Sequence, residues 1–165
     1  MKPIVFLDFD GVLNSWTWLG SQGVREPTKA SHEVRARVGF DPKTIRRLNK
    51  LLKRTSSSIV VSSAWRKRLS VDGLQDLLSS QGLRGEVIGR TPEIPGPRAR
   101  EIARWLRLIG LRPYVVLDDN ATGMGTIRNK AFSGVRDPRF VLTDIHKGLQ
   151  DRQLEQAAEL LEEQQ

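Results

Sequence analysis

Short, uninterrupted apolar runs alternate along this chain with longer stretches in which apolar residues recur every three or four positions. The runs are Pro3 to Asp8, Ser58 to Ser63, Glu86 to Ile88, Tyr114 to Leu117 and Arg139 to Leu142. They are rich in β-branched and aromatic residues, too short for helices, and read as buried strands. The helical stretches are as clear. From Asp41, a capping residue followed by proline, Ile45, Leu48, Leu51 and Leu52 fall on one face with Arg and Lys on the other. Ser70 to Gly82 predicts a helix with Val71, Leu74, Leu77 and Leu78 inward. After a proline-rich turn from Thr91 to Pro97, another runs to about Ile109 with Ile102, Trp105, Leu106 and Ile109 on its buried side, and Gly110 stops it. A last amphipathic helix begins at about Asp151.

Two segments carry no sustained period. Residues 14 to 40 hold Gly20, Gly23, Pro27, many basic residues and the pair Trp16 and Trp18, and are expected to be an irregular flap. The stretch containing Gly123 and Gly125, basic and glycine-rich up to Arg136, is expected to be a loop. Strands alternating with helices predict one α/β domain over residues 1–165: a three-layer α/β/α sandwich, Rossmann-like, with a mainly parallel sheet. In such sheets ligands bind beyond the carboxyl ends of the strands. Asp8 and Asp10 follow the first strand, Ser62 and Ser63 end the second, and Asp118 and Asp119 end the fourth, so three segments are expected to converge there.

Composition narrows the chemistry. With no cysteine, disulfides and thiolate metal sites are excluded, and any metal must take oxygen or imidazole ligands. His32 and His146 are isolated in the sequence and are assigned no ligand role. The only apolar run near the start is too short for a signal peptide or a membrane span, so a soluble, cytoplasmic protein without membrane partners is expected. The formal net charge of +8 is unevenly spread: between residues 25 and 68, thirteen basic side chains face three acidic ones. Such a stretch attracts polyanions, though a solvated basic surface accounts for it equally well.

The carboxylates say more. Asp8 and Asp10 stand two apart at a strand end, so both side chains point to one face while Phe9 enters the packing and Gly11 permits a tight turn. Neighbouring carboxylates repel each other, and a hard dication relieves that repulsion; with Asp118 or Asp119 nearby, Mg²⁺ in an oxygen shell fits best. Arg66 lies just beyond the serines, placed to grip a phosphate by paired hydrogen bonds. Trp16 and Trp18 are candidates for stacking a base, or for folding the flap onto the domain.

Asp8-Phe9-Asp10-Gly11-Val12-Leu13 resembles the first motif of haloacid dehalogenase phosphatases. The strand ending at Ser62, the basic residue at Arg98 and Leu117-Asp118-Asp119 resemble the other three, in order. Val61 to Arg66, Thr91-Pro92, Arg98 with Glu101-Ile102, and Lys147-Gly148-Leu149 resemble more closely a small branch associated with RNA-repair proteins and polynucleotide 3′-phosphatases. The resemblance implies Asp8 as nucleophile, Asp10 as general acid and base with its carbonyl on the metal, and Mg²⁺ as cofactor. It implies Ser62, or Ser63 by a one-residue shift, as donor to a phosphoryl oxygen. Arg98, or Arg100, would offset the developing charge, and Asp119, or Asp118, would be the further metal ligand.

The expected activity is therefore removal of a terminal phosphate, most plausibly 3′, from RNA or DNA, in company with other repair proteins. Two other readings stand beside it: a phosphatase of free nucleotides or another small phosphorylated metabolite, and a nucleic-acid-binding module without activity.

Overall fold

A computed structural model describes residues 1–120 and 139–164; the stretch from Gly123 to Arg136 expected to be a loop lies outside them. The elements in chain order are β1 (Ile4–Leu7), α1 (Trp16–Ser21), α2 (His32–Val38), α3 (Pro42–Thr55), β2 (Ser58–Val61), α4 (Val71–Ser80), β3 (Val87–Arg90), α5 (Arg98–Ile109), β4 (Tyr114–Asp118), β5 (Phe140–Leu142) and α6 (Asp151–Glu162). Single 3₁₀ turns lie at Pro27–Lys29 and Ala64–Lys67. The five strands form one sheet in the order β3-β2-β1-β4-β5, every pair parallel. Parallel neighbours need crossovers over the faces, and the helices supply them.

Alternation along the strands sorts side chains into two cores. Val5, Leu7, Ile59, Val61, Val115, Leu117 and Val141 face α3, α4 and α6, through Ile45, Leu48, Leu51, Leu74, Leu78, Leu154 and Leu161. Ile4, Phe6, Val60, Tyr114 and Val116 face α5, through Ala99, Ile102, Trp105 and Leu106. The sheet is thus sandwiched between helical layers, as the uninterrupted apolar runs require. Asp41 caps α3, accepting from the Lys43 N–H at 2.8 Å, and Ser70 caps α4, accepting from Gly73 at 3.1 Å.

Two expectations change. Residues 14 to 40 are largely helical: Ser15 caps α1, accepting from Trp18 at 3.1 Å, and Ser31 caps α2, accepting from Val34 at 3.3 Å. Each helix has only one or two turns, too few for a hydrophobic period to show. Ile109, expected inward, is 49% exposed because α5 ends there at Gly110, whose φ is 95°. No helix among the described residues is long and apolar enough to cross a membrane.

Leu48 is fully buried at the centre of the larger core. Leu48→Ala should lower unfolding free energy by about 2–5 kcal/mol through lost burial and a residual cavity, read as a lower urea midpoint at unchanged slope.

Candidate active site

Strand register itself lines up the polar groups. β1 pairs in step with β2 and β4, Leu7 opposite Val61 and Leu117. One residue further, the Asp8 N–H donates to the Leu117 carbonyl at 3.0 Å, the Ser62 N–H to the Leu7 carbonyl at 3.0 Å, and the Thr91 N–H to the Val61 carbonyl at 2.9 Å. Thr91, Ser62, Asp8 and Asp118 therefore form a row across four adjacent strand ends. By strand alternation Asp8, Ser62 and Asp118 belong to the α5 side of the sheet, with Phe6, Val60 and Val116. Arg98 opens α5 and meets the row.

Asp8 is 5% exposed and Asp118 is 1% exposed. Arg98 Nη1 donates to Asp8 Oδ2 at 2.6 Å and also to Asp118 Oδ2. The Phe9 N–H donates to Asp8 Oδ1 at 2.8 Å, and the Asn120 N–H to Asp118 Oδ1 at 2.8 Å. Asp8, Asp118 and Asp119 each bring a carboxylate oxygen within 4.8 Å of the others. Asp119 reaches them by lying over Gly11, whose φ is 74° and where a Cβ would stand 2.3 Å from Asp119 Oδ2. Glycine is needed there for the turn and for this approach alike.

The electrostatics follow from crowding. Burial, then the charge of Asp8, raises the pKa of Asp118 to about 6. Burial, then the charges of Asp8 and Asp118, does the same for Asp119, also to about 6. For Arg98 burial alone would lower the pKa, but Asp8 and Asp118 more than reverse it, and the guanidinium stays charged. Among the described residues, one fixed cation beside three carboxylates leaves negative charge in excess. The donor set is all hard oxygen, and the triad can hold a metal ion of the magnesium type.

Asp10 is held apart from the triad. Its Oδ1 accepts from Arg35 Nη1 at 2.9 Å and its Oδ2 from Trp65 Nε1 at 3.0 Å. Arg35 is in turn anchored to its own segment, Nε donating to the Ala30 carbonyl at 3.0 Å and Nη2 to that of Pro27 at 3.2 Å. The His32 ring lies against Trp65 with centroids 4.0 Å apart and planes tilted by 49°. Burial first, and Arg68 second, lower its pKa. Arg35 and Trp65 escaped the sequence reading, because α2 is too short to place Arg35 and Trp65 is indistinguishable from a core residue. His32 was set aside because nothing in sequence brings it near Asp10.

The other candidates separate. The Ser62 hydroxyl is buried and has no partner among the described residues, whereas the Ser63 hydroxyl accepts from the Trp65 N–H at 3.5 Å as the cap of the following turn. Arg100 is exposed and donates to the Pro95 carbonyl at 3.2 Å, away from the carboxylates. Arg66, expected to grip a phosphate, lines the cavity of about 280 Å³ beside Arg98 and Asp118, but its guanidinium is already committed. Its Nη2 pairs with Glu101 Oε1 at 2.6 Å, its Nη1 donates to the Ser62 and Ser63 carbonyls at 3.0 and 2.8 Å, and its Nε to that of Thr91 at 3.2 Å. Arg66 pins the carboxyl ends of β2 and β3 to α5. The tryptophans also turn away from the carboxylates: the Trp16 ring meets His146 edge-on at 4.7 Å, and Trp18 Nε1 donates to the Gly39 carbonyl at 3.1 Å. They fold the excursion onto the domain.

This parallel sheet, with a carboxylate row at the ends of β1 and β4 and an arginine opening α5, is the haloacid dehalogenase-like fold and its acidic site. The chain belongs to the family of haloacid dehalogenase domains in Swiss Army Knife RNA repair proteins, which matches residues 4–154. A haloacid dehalogenase-like family hydrolase from Streptococcus pneumoniae is similar in structure, with a TM-score of 0.49 and 16% identity over 94% of this chain and 90% of that one. No protein of curated function matches the chain in sequence.

Two outcomes test this geometry. Arg66→Ala would strand the buried Glu101 carboxylate and should cost about 3–5 kcal/mol in urea unfolding. Asp118 and Asp119 hold protons in the folded chain between their ordinary value of 3.8 and about 6, so without metal, stability falls as pH rises through that window. A dication competes with those protons. The rise in melting temperature on adding Mg²⁺ should be small near pH 5 and complete above pH 7, and an equal rise at both would place the ion elsewhere.

Proposed function

We propose that this domain is a Mg²⁺-dependent phosphomonoesterase acting through an aspartyl phosphate on the terminal phosphate of an RNA strand, the 3′ end first. The observation that carries the proposal is the convergence of Asp8, Asp118 and Asp119 within 4.8 Å, with Arg98 bridging Asp8 and Asp118. The RNA end as substrate is supported by the repair proteins that give the family its description.

In this reading an Asp8 carboxylate oxygen attacks phosphorus, and the ester P–O bond opposite it breaks. The departing oxygen takes a proton from Asp10. Water then attacks the same phosphorus, its proton passes to Asp10, and the bond to Asp8 breaks, releasing inorganic phosphate. Ser62, whose buried hydroxyl has no partner among the described residues, donates to a phosphoryl oxygen, and Arg98 offsets the charge on the transferring group. Asp119, Asp118, Asp8 and the Asp10 carbonyl would hold Mg²⁺, which supplies charge neutralisation for the phosphoryl oxygens. Trp65 and Arg35 hold the Asp10 carboxylate by one oxygen each, which fixes its orientation between the two steps.

The test is phosphate release with Mg²⁺ from matched 3′- and 5′-phosphorylated oligoribonucleotides and mononucleotides, with Asp8→Asn as blank. Release fastest from the 3′-phosphorylated oligomer and absent in Asp8→Asn is the expected result; faster release from mononucleotides would assign the site to small metabolites. Asp10→Asn should slow release from a nucleotide end by about 10²–10⁴-fold. With p-nitrophenyl phosphate, whose leaving group needs no proton, the same variant should keep an initial burst of nitrophenol and stall at the second step.

A further inference from the structure

The helix α3 carries two stripes of positive charge with different fates. Arg47 and Arg54 face the acidic α6: Arg47 pairs with Asp151 at 3.1 Å, and Arg54 pairs with Glu155 at 2.6 Å and Glu162 at 2.8 Å. Much of the acidic excess of the C-terminal third is spent there. Arg46, Lys50 and Lys53, on the neighbouring stripe at i, i+4 and i+7, are exposed and form no ion pair among the described residues. They line a groove of about 1000 Å³ together with Arg84. Lys2 and Glu86 lie in the same groove, but they pair with each other at 3.3 Å and cancel.

The groove is built. Asn49 ties its walls together, Nδ2 donating to the Gly82 carbonyl at 2.9 Å and Oδ1 accepting from the Arg84 N–H at 2.8 Å. Pro42, Ile45 and Leu52 give it apolar lining, and Gln81 a further amide. Lys2 precedes β1, Ser58 begins β2 and Glu86 precedes β3, so one end of the groove lies at the amino ends of the strands, and from there it follows α3 to Pro42. The carboxylates of the acidic row do not line it.

We infer that this groove is a second, non-catalytic site for the sugar–phosphate backbone of a single RNA strand. Four exposed cations that form no ion pair among the described residues line the groove and match a polyanion, although Asp151 also feels Lys50; at about 1.5 Å per residue Arg46 to Lys53 spreads positive charge over about 10 Å. The apolar lining and the amides suit sugars and bases between the phosphates. Because none of the reacting residues lines it, the groove retains the body of a strand or a second strand and takes no part in bond breaking. The choice of RNA as occupant rests on the reading of the domain as an RNA-end phosphatase.

The experiment uses a fluorescent oligouridylate with hydroxyl ends, which gives the catalytic site nothing to hydrolyse, titrated with the full chain at several salt concentrations. Lys50→Gln/Lys53→Gln is compared with Arg104→Gln/Arg107→Gln, a charge-matched change of exposed residues on α5. The groove pair should bind roughly tenfold more weakly at low salt. Its slope of log affinity against log salt should be shallower by about 1.4, two phosphate contacts on a single strand. The control pair should match the parent chain, and both pairs should keep parental turnover of p-nitrophenyl phosphate. Equal losses in both pairs would mean diffuse charge, and no loss in either would mean the strand is elsewhere or the groove serves another partner; each result overturns the proposal. Absence of phosphate release from RNA ends, with the groove effect intact, would instead remove the enzymatic reading and leave the groove in place.

Discussion

The structure turns on the in-step parallel pairing of β1 with β4, which sets Asp8 beside Asp118 at adjacent strand ends. Two buried carboxylates side by side are unfavourable unless something positive joins them. Arg98 does so from the first residue of α5, and that fixes where the helix must start and how it lies over the sheet. Glu101, one turn on, then pairs with Arg66 and ties the same helix to the ends of β2 and β3. The smaller core under α5 is thus closed at its upper edge by charge and below by Phe6 and Trp105, whose rings meet edge-on at 5.5 Å.

The same constraint explains the division of labour among the acidic side chains. Asp8 and Asp118 share Arg98, Asp119 completes the triad from above Gly11, and Asp10 leans the other way into the α2 segment. A residue two positions from Asp8 would by strand alternation be expected to share its surroundings. It does not, because the chain leaves the sheet at Leu7 and turns at Gly11, so the alternation ends before Asp10.

Much of the fold was legible from the central strands, because β1, β2 and β4 are buried on both faces and read as continuous apolar runs, whereas the edge strands β3 and β5 leave one face partly exposed. The convergence of Asp8, Ser62 and Asp118 followed from their shared position at strand ends, since parallel strands in register must bring their ends together. What stayed hidden was the commitment of polar groups. Nothing in Ala64-Trp65-Arg66 tells that the arginine is consumed by Glu101 and three carbonyls while the indole N–H serves Asp10. The helices between residues 14 and 40 were hidden by brevity. The tryptophans there were ambiguous because a ring that folds a loop and one that stacks a ligand share the same composition.

The two charged stripes of α3 carry different histories of permitted change. Replacing Arg47 or Arg54 alone leaves Asp151, or Glu155 and Glu162, without a partner, so among related chains these positions should tend to vary together, as a record of how two helices stay side by side. Arg46, Lys50 and Lys53 form no ion pair among the described residues, Lys50 alone being felt by Asp151, and the domain can lose them one by one with little harm to its packing. Wherever they persist across divergent relatives, folding is not what preserved them.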